Sequence, residues 1–451
     1  MHVLNRFHKS YDESGSIIIH LIDRGADKMK KRISLIVLAT TVMVSVLSAC
    51  GGSGGNAETS GQGEGGSKQT KTLRFATWDT GDALKIEQDI AKKFEAAHPG
   101  TKVQVEAYAD GFDQKLAAGF GAANPPDVMY MWDFPTYHQS LEPLDGYADK
   151  DPDLNIDDFY KGLFNYGKIG DTLYGIPAGF TTRVVYYNKK LFDEAGVPYP
   201  KDGWTWAEFQ DIAQKLTDKS KKQYGFGVRA ENDTYDLQGF VWSNGSSFIS
   251  PDGKAIDGYM NSKETAEAIQ MFGDMVKNGS AVLTGGKGQQ SGDDIFKAGK
   301  IAMWESGIWP LESFKQAGVD VGTVEMPAFP GKPVKGVLAE SALSIAKDSK
   351  QKDLAWEFVK FYVSNDSIKM RVADLPVRQS VVTELKKDQD PLYKPFYAML
   401  ERSSDTPAFL LNPKWNEVNR QLSAAVEAVM HGASAQEVLN QAVKDSERYL
   451  K

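Results

Sequence analysis

The chain has 451 residues, 41% hydrophobic and 25% charged, with a formal net charge of −8, the composition of a soluble globular protein long enough for two lobes. Its acidic balance argues against nucleic acid as a partner, since phosphate binding needs clustered Lys and Arg. A single cysteine excludes an internal disulfide framework, and six histidines without HExxH or other paired metal spacing offer no zinc-enzyme pattern.

Residues 1–28 fit no structural element and read as an over-translated N-terminus, because Met29 opens "MKKR". Lys28, Lys30, Lys31 and Arg32 precede the apolar run Ile33–Ala49, and small residues lead directly into Cys50. Positive, apolar and small-residue regions in that order predict a secretory signal over 29–49. The run falls short of the roughly 20 residues of a stable membrane span; the alternative is an uncleaved helix with a buried thiol. "LSAC" resembles the bacterial lipoprotein box, which makes Cys50 the expected lipid-carrying residue and 50–70, rich in Gly and Ser, a flexible tether. Residues 1–49 hold 7 of the 52 Lys/Arg and 4 of the 60 Asp/Glu, so the processed chain carries 45 and 56, a formal net of −11.

From about Lys71 the chain reads as an α/β body. "LRFATW" alternates Leu73 and Phe75, "DALKIEQDIAKKFEAAHPG" places Ile86, Ile90 and Phe94 on a helical stripe, and "TKVQVEAY" alternates again. Strand, helix, strand predicts a parallel crossover unit, with sites at the strands' C-terminal ends, where Trp78 and Asp79 fall. "FDQKLAAGFGAA" follows as a helix, and "PPDVMYM" as a buried strand ending at Trp132 and Asp133. A strand over Arg183–Tyr187 leads into a short helix. Thr205 with Glu208 predicts a capping box for "TWAEFQDIAQKLTD". "YGFGVR", "KIAMWE" and "ALSIAK" read as strands, "DLAWEFVKFYVS" and "WNEVNRQLSAAVEAVMHG" as amphipathic helices. The acidic stretch from Asp149 lacks the Gly and Glu of a calcium loop, so no metal is expected.

Seven of these segments, from "LRFATW" through "LYGIPAGFTTRVVYYNKKLFDEAGV", "FKAGKIAMWESGIW" and "EMPAFPGKPVKGVLAESALSIAKDSKQKDLAWEFVKFYVS" to the C-terminal "WNEV" helix, stand in the order of the extracellular sugar-binding lipoproteins of ABC importers. The chain resembles the maltodextrin and multiple-sugar type over nearly all of 71–451. The resemblance implies an α/β, two-lobed periplasmic-binding-protein-like fold of type II, with a ligand cleft between lobes and several hinge crossings. It implies lobe one over 71–181 plus 336–385 and lobe two over 182–335 plus 386–451. It also implies a carbohydrate ligand, a permease partner, a monomer, no cofactor, and a lipid-anchored place on the outer face of a single-membrane bacterium.

A sugar presents an apolar C–H face and a rim of hydroxyls, so a binder needs flat rings beside carboxylates, amides or Arg. The candidates are Trp78 and Asp79, Trp132 and Asp133, then Asp233, Tyr235 and Trp242, and finally Trp304, Glu305 and Trp309. Trp309 falls where the family places a stacking Trp, whereas Trp304 suits a strand core equally well. Thr181 to Arg183 occupy the first crossing, where the maltodextrin type has an acid, which weakens maltodextrin itself. Trp204, Trp206 and Trp356 read as packing residues, and Trp415 leans the same way. A phosphorylated solute such as glycerol phosphate would call on Arg183 and Arg378. A glycosidase would need two carboxyls about 5 Å apart, for which Glu305 with Asp133 or Asp233 are the candidates.

Overall fold

The computed structural model describes residues 9–11, 17–19, 70–109, 111–230, 234–285 and 290–450. Cys50, the expected signal 29–49 and Asp233 lie outside them. Within the first 28 residues Lys9–Tyr11 pairs antiparallel with Ile17–Ile19. The chain divides at Ser67 and Lys68 into two units, and the second, Lys68–Lys451, holds the α/β body. Among the described residues no helix is long and apolar enough to cross a membrane.

Ten strands build two five-stranded sheets: β1 (Lys71–Thr77), β2 (Thr101–Ala107), β3 (Val128–Met131), β4 (Ile176–Thr182), β5 (Val184–Asn188), β6 (Tyr224–Arg229), β7 (Ala281–Thr284), β8 (Ile301–Ser306), β9 (Val321–Val324) and β10 (Leu338–Ile345). The first sheet runs β2-β1-β3-β10-β4 and the second β7-β6-β8-β5-β9. In the first, β1 lies parallel to both β2 and β3, and β10 runs antiparallel between β3 and β4. In the second, β6 is parallel to β7 and β8, while β5 opposes β8 and β9.

Strands covered by helices on both faces have no solvent side and lose the alternating pattern. Every residue of β3, β5 and β8 is accordingly buried. Helix Gly81–Ala97 buries Ile90 and Phe94, and ends where His98 stacks on Phe94 at 4.0 Å between ring centroids. The capping box at Thr205 is present in full.

The two sheets define two lobes, and the chain passes between them three times. β4 belongs to the first sheet and β5 to the second, so Arg183 alone carries the first passage. The strand expected from Arg183 begins one residue later. The Arg183 guanidinium pairs with Asp236 at 2.5 Å and Glu305 at 3.4 Å. Residues 325–337 return the chain from β9 to β10. The last passage lies between Arg378, whose Nη2 donates to Leu154 O, and Pro391, whose carbonyl accepts from Thr323 on β9.

Candidate functional site

A cleft of about 550 Å³ opens between the two sheets. It lies at the C-terminal ends of parallel strands, where open α/β sheets hold their ligands because the connecting loops diverge there. Trp78 follows β1 and Trp132 follows β3; Tyr235 lies on the helix after β6, and Trp309 three residues past β8. Of the six expected rings these four line the cleft, and Trp242 and Trp304 do not.

These rings are fixed from behind. Trp78 leans on Tyr130 at 4.6 Å and meets Phe112 edge-on at 5.1 Å. The Trp132 indole donates to Asp113 at 3.1 Å and meets Phe409 at 5.7 Å. The Tyr235 hydroxyl donates to the Leu338 carbonyl, which ties the second lobe's ring to β10 of the first sheet. Trp309 is 47% exposed, with the Arg183 guanidinium 4.6 Å behind its ring. An exposed large ring braced by a fixed cation is held in orientation while one face stays open to a partner.

The other candidates stand elsewhere. Asp79 does not line the cleft; its backbone N–H donates to Thr77 Oγ1. Asp133 is buried as the cap of the short helix Phe134–Tyr137, accepting from the Thr136 N–H at 3.2 Å, and burial raises its carboxyl above the usual range. Trp304 is buried, its indole donating to Asp293 at 2.7 Å and packed against Gly292, where any Cβ would strike the ring. Glu305 is 5% exposed and bound to Arg229 at 2.5 Å as well as to Arg183. It fixes the base under Trp309 rather than facing the cleft. Trp242 lines a separate surface hollow with Gly245 and Tyr259. Trp204, Trp206 and Trp356 are core residues, as their apolar settings indicated. Trp415 packs as expected, being buried, and also lines the cleft at the first turn of helix Trp415–Met430, with Asn416 and Asn419 beside it.

Sequence reasoning missed three acids. Asp113, Asp374 and Glu340 all line the cleft. Asp374 is paired with Arg371 at 2.5 Å. Glu340, on β10 opposite Phe180, is 6% exposed, and among the described residues neither of its carboxylate oxygens has a hydrogen-bond donor. Burial alone pushes its carboxyl well above the usual range. Its signal was a charge inside the otherwise apolar or small-residue strand "LAESALSI", since a buried charge needs a partner.

The two arginines suggested for a phosphate are both occupied. Arg183 serves Asp236 and Glu305; Arg378 serves Asp158 at 3.4 Å and the carbonyls of Leu154 and Val363. Neither lines the cleft. Among the described residues no group of three or more His, Cys, Asp or Glu is placed to hold a metal ion.

Two lobes joined by three passages, with a ring-lined cleft at their strand ends, define a two-lobed solute-binding protein of the type II fold. Residues 77–369 match the bacterial extracellular solute-binding protein family, and the chain belongs to it. The galactooligosaccharide-binding protein of Bacillus subtilis is 25% identical over 447 residues, covering 94% of this chain and 98% of that protein. The maltotriose-binding protein of Pyrococcus abyssi is 25% identical over 379 residues, covering 77% of this chain and 75% of its own. Among solved structures, an ABC substrate-binding protein from Listeria monocytogenes in complex with cycloalternan superposes with a TM-score of 0.73 at 24% identity, covering 84% of this chain and 98% of that one. Membership in this family places the protein's work outside the cytoplasm and makes it a binder of solutes.

Proposed function

We propose that the protein captures a carbohydrate of oligosaccharide size in this cleft, closes its lobes around it, and delivers it intact to the membrane permease of an ABC importer. The observation that carries the reading is the set of rings Trp78, Trp132, Tyr235, Trp309 and Trp415 around one 550 Å³ space edged by carboxylates and amides. Flat rings match the C–H faces of successive sugar units, and the polar groups between them match the hydroxyls. The names of the relatives, galactooligosaccharide- and maltotriose-binding, support the same substrate class.

In this reading Trp309 and Trp132 stack on sugar faces, and Asn416 and Asn419 bond hydroxyls. The lobes divide as 71–181 plus 336–385 and 182–335 plus 386–451, with Arg183 as pivot of the first crossing. Cys50 carries the lipid that keeps a monomer beside its permease. In this reading the ligand leaves intact: Glu305 is held by two arginines and Asp133 caps a helix, and neither lines the cleft.

Ligand closure requires only that the closed state bind better than the open one. Micromolar affinity, about −8 kcal/mol, suffices for capture. The test is a thermal-shift screen of neutral and charged oligosaccharides, with the sugar analysed afterwards. For a body of this length, ligand at a hundred times its Kd raises Tm by roughly 3 °C. The expected result is such a rise with the sugar recovered intact, abolished by Trp309→Ala. Cleaved sugar, or a rise only with phosphorylated solutes or peptides, overturns the reading.

A further inference from the structure

Glu340 lines the cleft floor and is nine-tenths buried, and both oxygens of its carboxylate lie beneath the wall surface with no donor among the described residues. Its neighbours on the wall do not relieve it. Tyr235 gives its hydroxyl to Leu338 O, and Tyr166 is itself buried, its ionisation opposed first by burial and further by Tyr235 and Glu340. Asp374, beside Gly179 on the adjoining strand, is already balanced by Arg371.

The charge of the whole wall points the same way. The charged side chains lining the cleft are Asp113, Glu340 and Asp374, and among the described residues that line it there is no Lys, Arg or His. Arg371 and Arg183 stand behind the wall with their carboxylates already in place, so they add no net positive charge to the space. Among the described residues the Asp113 carboxylate accepts only from the Trp132 indole. With Asp374 balanced by Arg371 and Glu340 uncharged in the empty cleft, Asp113 gives the wall its net negative charge, and the absence of a facing cation among the lining residues leaves that field to favour a cationic ligand. The aromatic faces add to it, since a ring presents its negative quadrupole to a cation.

We propose that the natural ligand is an amino sugar or an oligosaccharide containing one, whose protonated amine docks on Glu340. The proposal rests on the carbohydrate reading and narrows it from neutral to cationic sugars. An ammonium donates up to three hydrogen bonds and accepts none, which suits a carboxylate with two bare oxygens. A neutral hydroxyl leaves the acid in its uncharged form. With the cleft empty, burial favours the uncharged form of Glu340. Docking of the ammonium ionises it, and the carboxyl proton leaves to solvent.

The experiment is isothermal titration calorimetry of the full chain at pH 6.5 with glucosamine oligomers of two to four units, their N-acetylated counterparts and maltotriose. The amine form is expected to bind roughly tenfold tighter or more than its neutral counterpart. Glu340→Gln, which keeps the shape, is expected to erase that preference. Should the variant fail to fold, the wild-type heats in two buffers of different ionisation enthalpy decide the matter: protons are released to solvent on amine binding, and none on neutral-sugar binding. Neutral sugars binding as tightly as amines, a preference that survives Glu340→Gln, or amine binding without proton release overturns this inference alone. Failure of every sugar to bind overturns the carbohydrate reading and this inference together.

Discussion

Glu87 is only 1% exposed behind the cleft wall, where its Oε1 accepts from Tyr130 at 2.7 Å and from Tyr362, with Arg371 3.9 Å away. Burial outweighs the pull of Arg371 and raises its carboxyl to about 8. In the native state it therefore holds a proton that the unfolded chain releases from about 4.5 upward. Its contribution to stability is present below 4.5 and is lost as pH climbs to about 8, with a slope of up to about 1.4 kcal/mol per pH unit. Glu87→Gln keeps the hydrogen bonding without the proton, so urea melts between pH 5 and 8 should show the variant's stability falling less steeply than wild type's. Equal slopes would mean that Glu87 is ionised in the fold. That Glu87 is buried was not legible from the sequence, because it sits beside Ile86 on a helix whose apolar stripe alone was readable.

Helix Trp206–Lys215 shows how much of an element is local. Thr205 accepts from the Glu208 N–H and Glu208 accepts from the Thr205 N–H, a motif readable from four residues because all its partners lie within one turn. The packing of that helix is different. A Cβ on Gly225 would fall 2.0 Å from the Ala213 carbonyl oxygen, so β6 and the helix meet backbone to backbone. Thr205→Ala is expected to cost about 1 kcal/mol. Gly225→Ala is expected to cost more, about 1–3 kcal/mol, because the backbones must move apart. Chemical denaturation of the two variants checks the order, and a Gly225→Ala protein as stable as wild type would show that the contact is not tight. Strand and helix identities were legible at this scale; the ion pairs of Arg183 were not, since its acids lie 53 and 122 residues away in sequence.

For the whole molecule, the single-residue link at Arg183 and the short link 325–337 place little chain between the lobes, and hinges are made of such element-terminal residues. Small-angle scattering should show the radius of gyration fall on saturation with a binding sugar, and stay constant for Trp309→Ala at the same concentration. An unchanged radius in the wild type would make the cleft a rigid site. Local pattern was enough for the class: alternating strand and helix periods, the order of seven segments, and the rings Trp78, Trp132, Tyr235 and Trp309 at strand ends are all read from short windows, because period and position after a strand are local properties. Which acids face the ligand is a matter of long-range packing. Folding turned Asp133 into a cap and Glu305 into a counter-ion, brought Trp415 in from the C-terminal helix, and buried Glu340 at the cleft without a donor. A carboxylate's role depends on which cation or amide reaches it, and those partners come from strands and helices far apart along the chain.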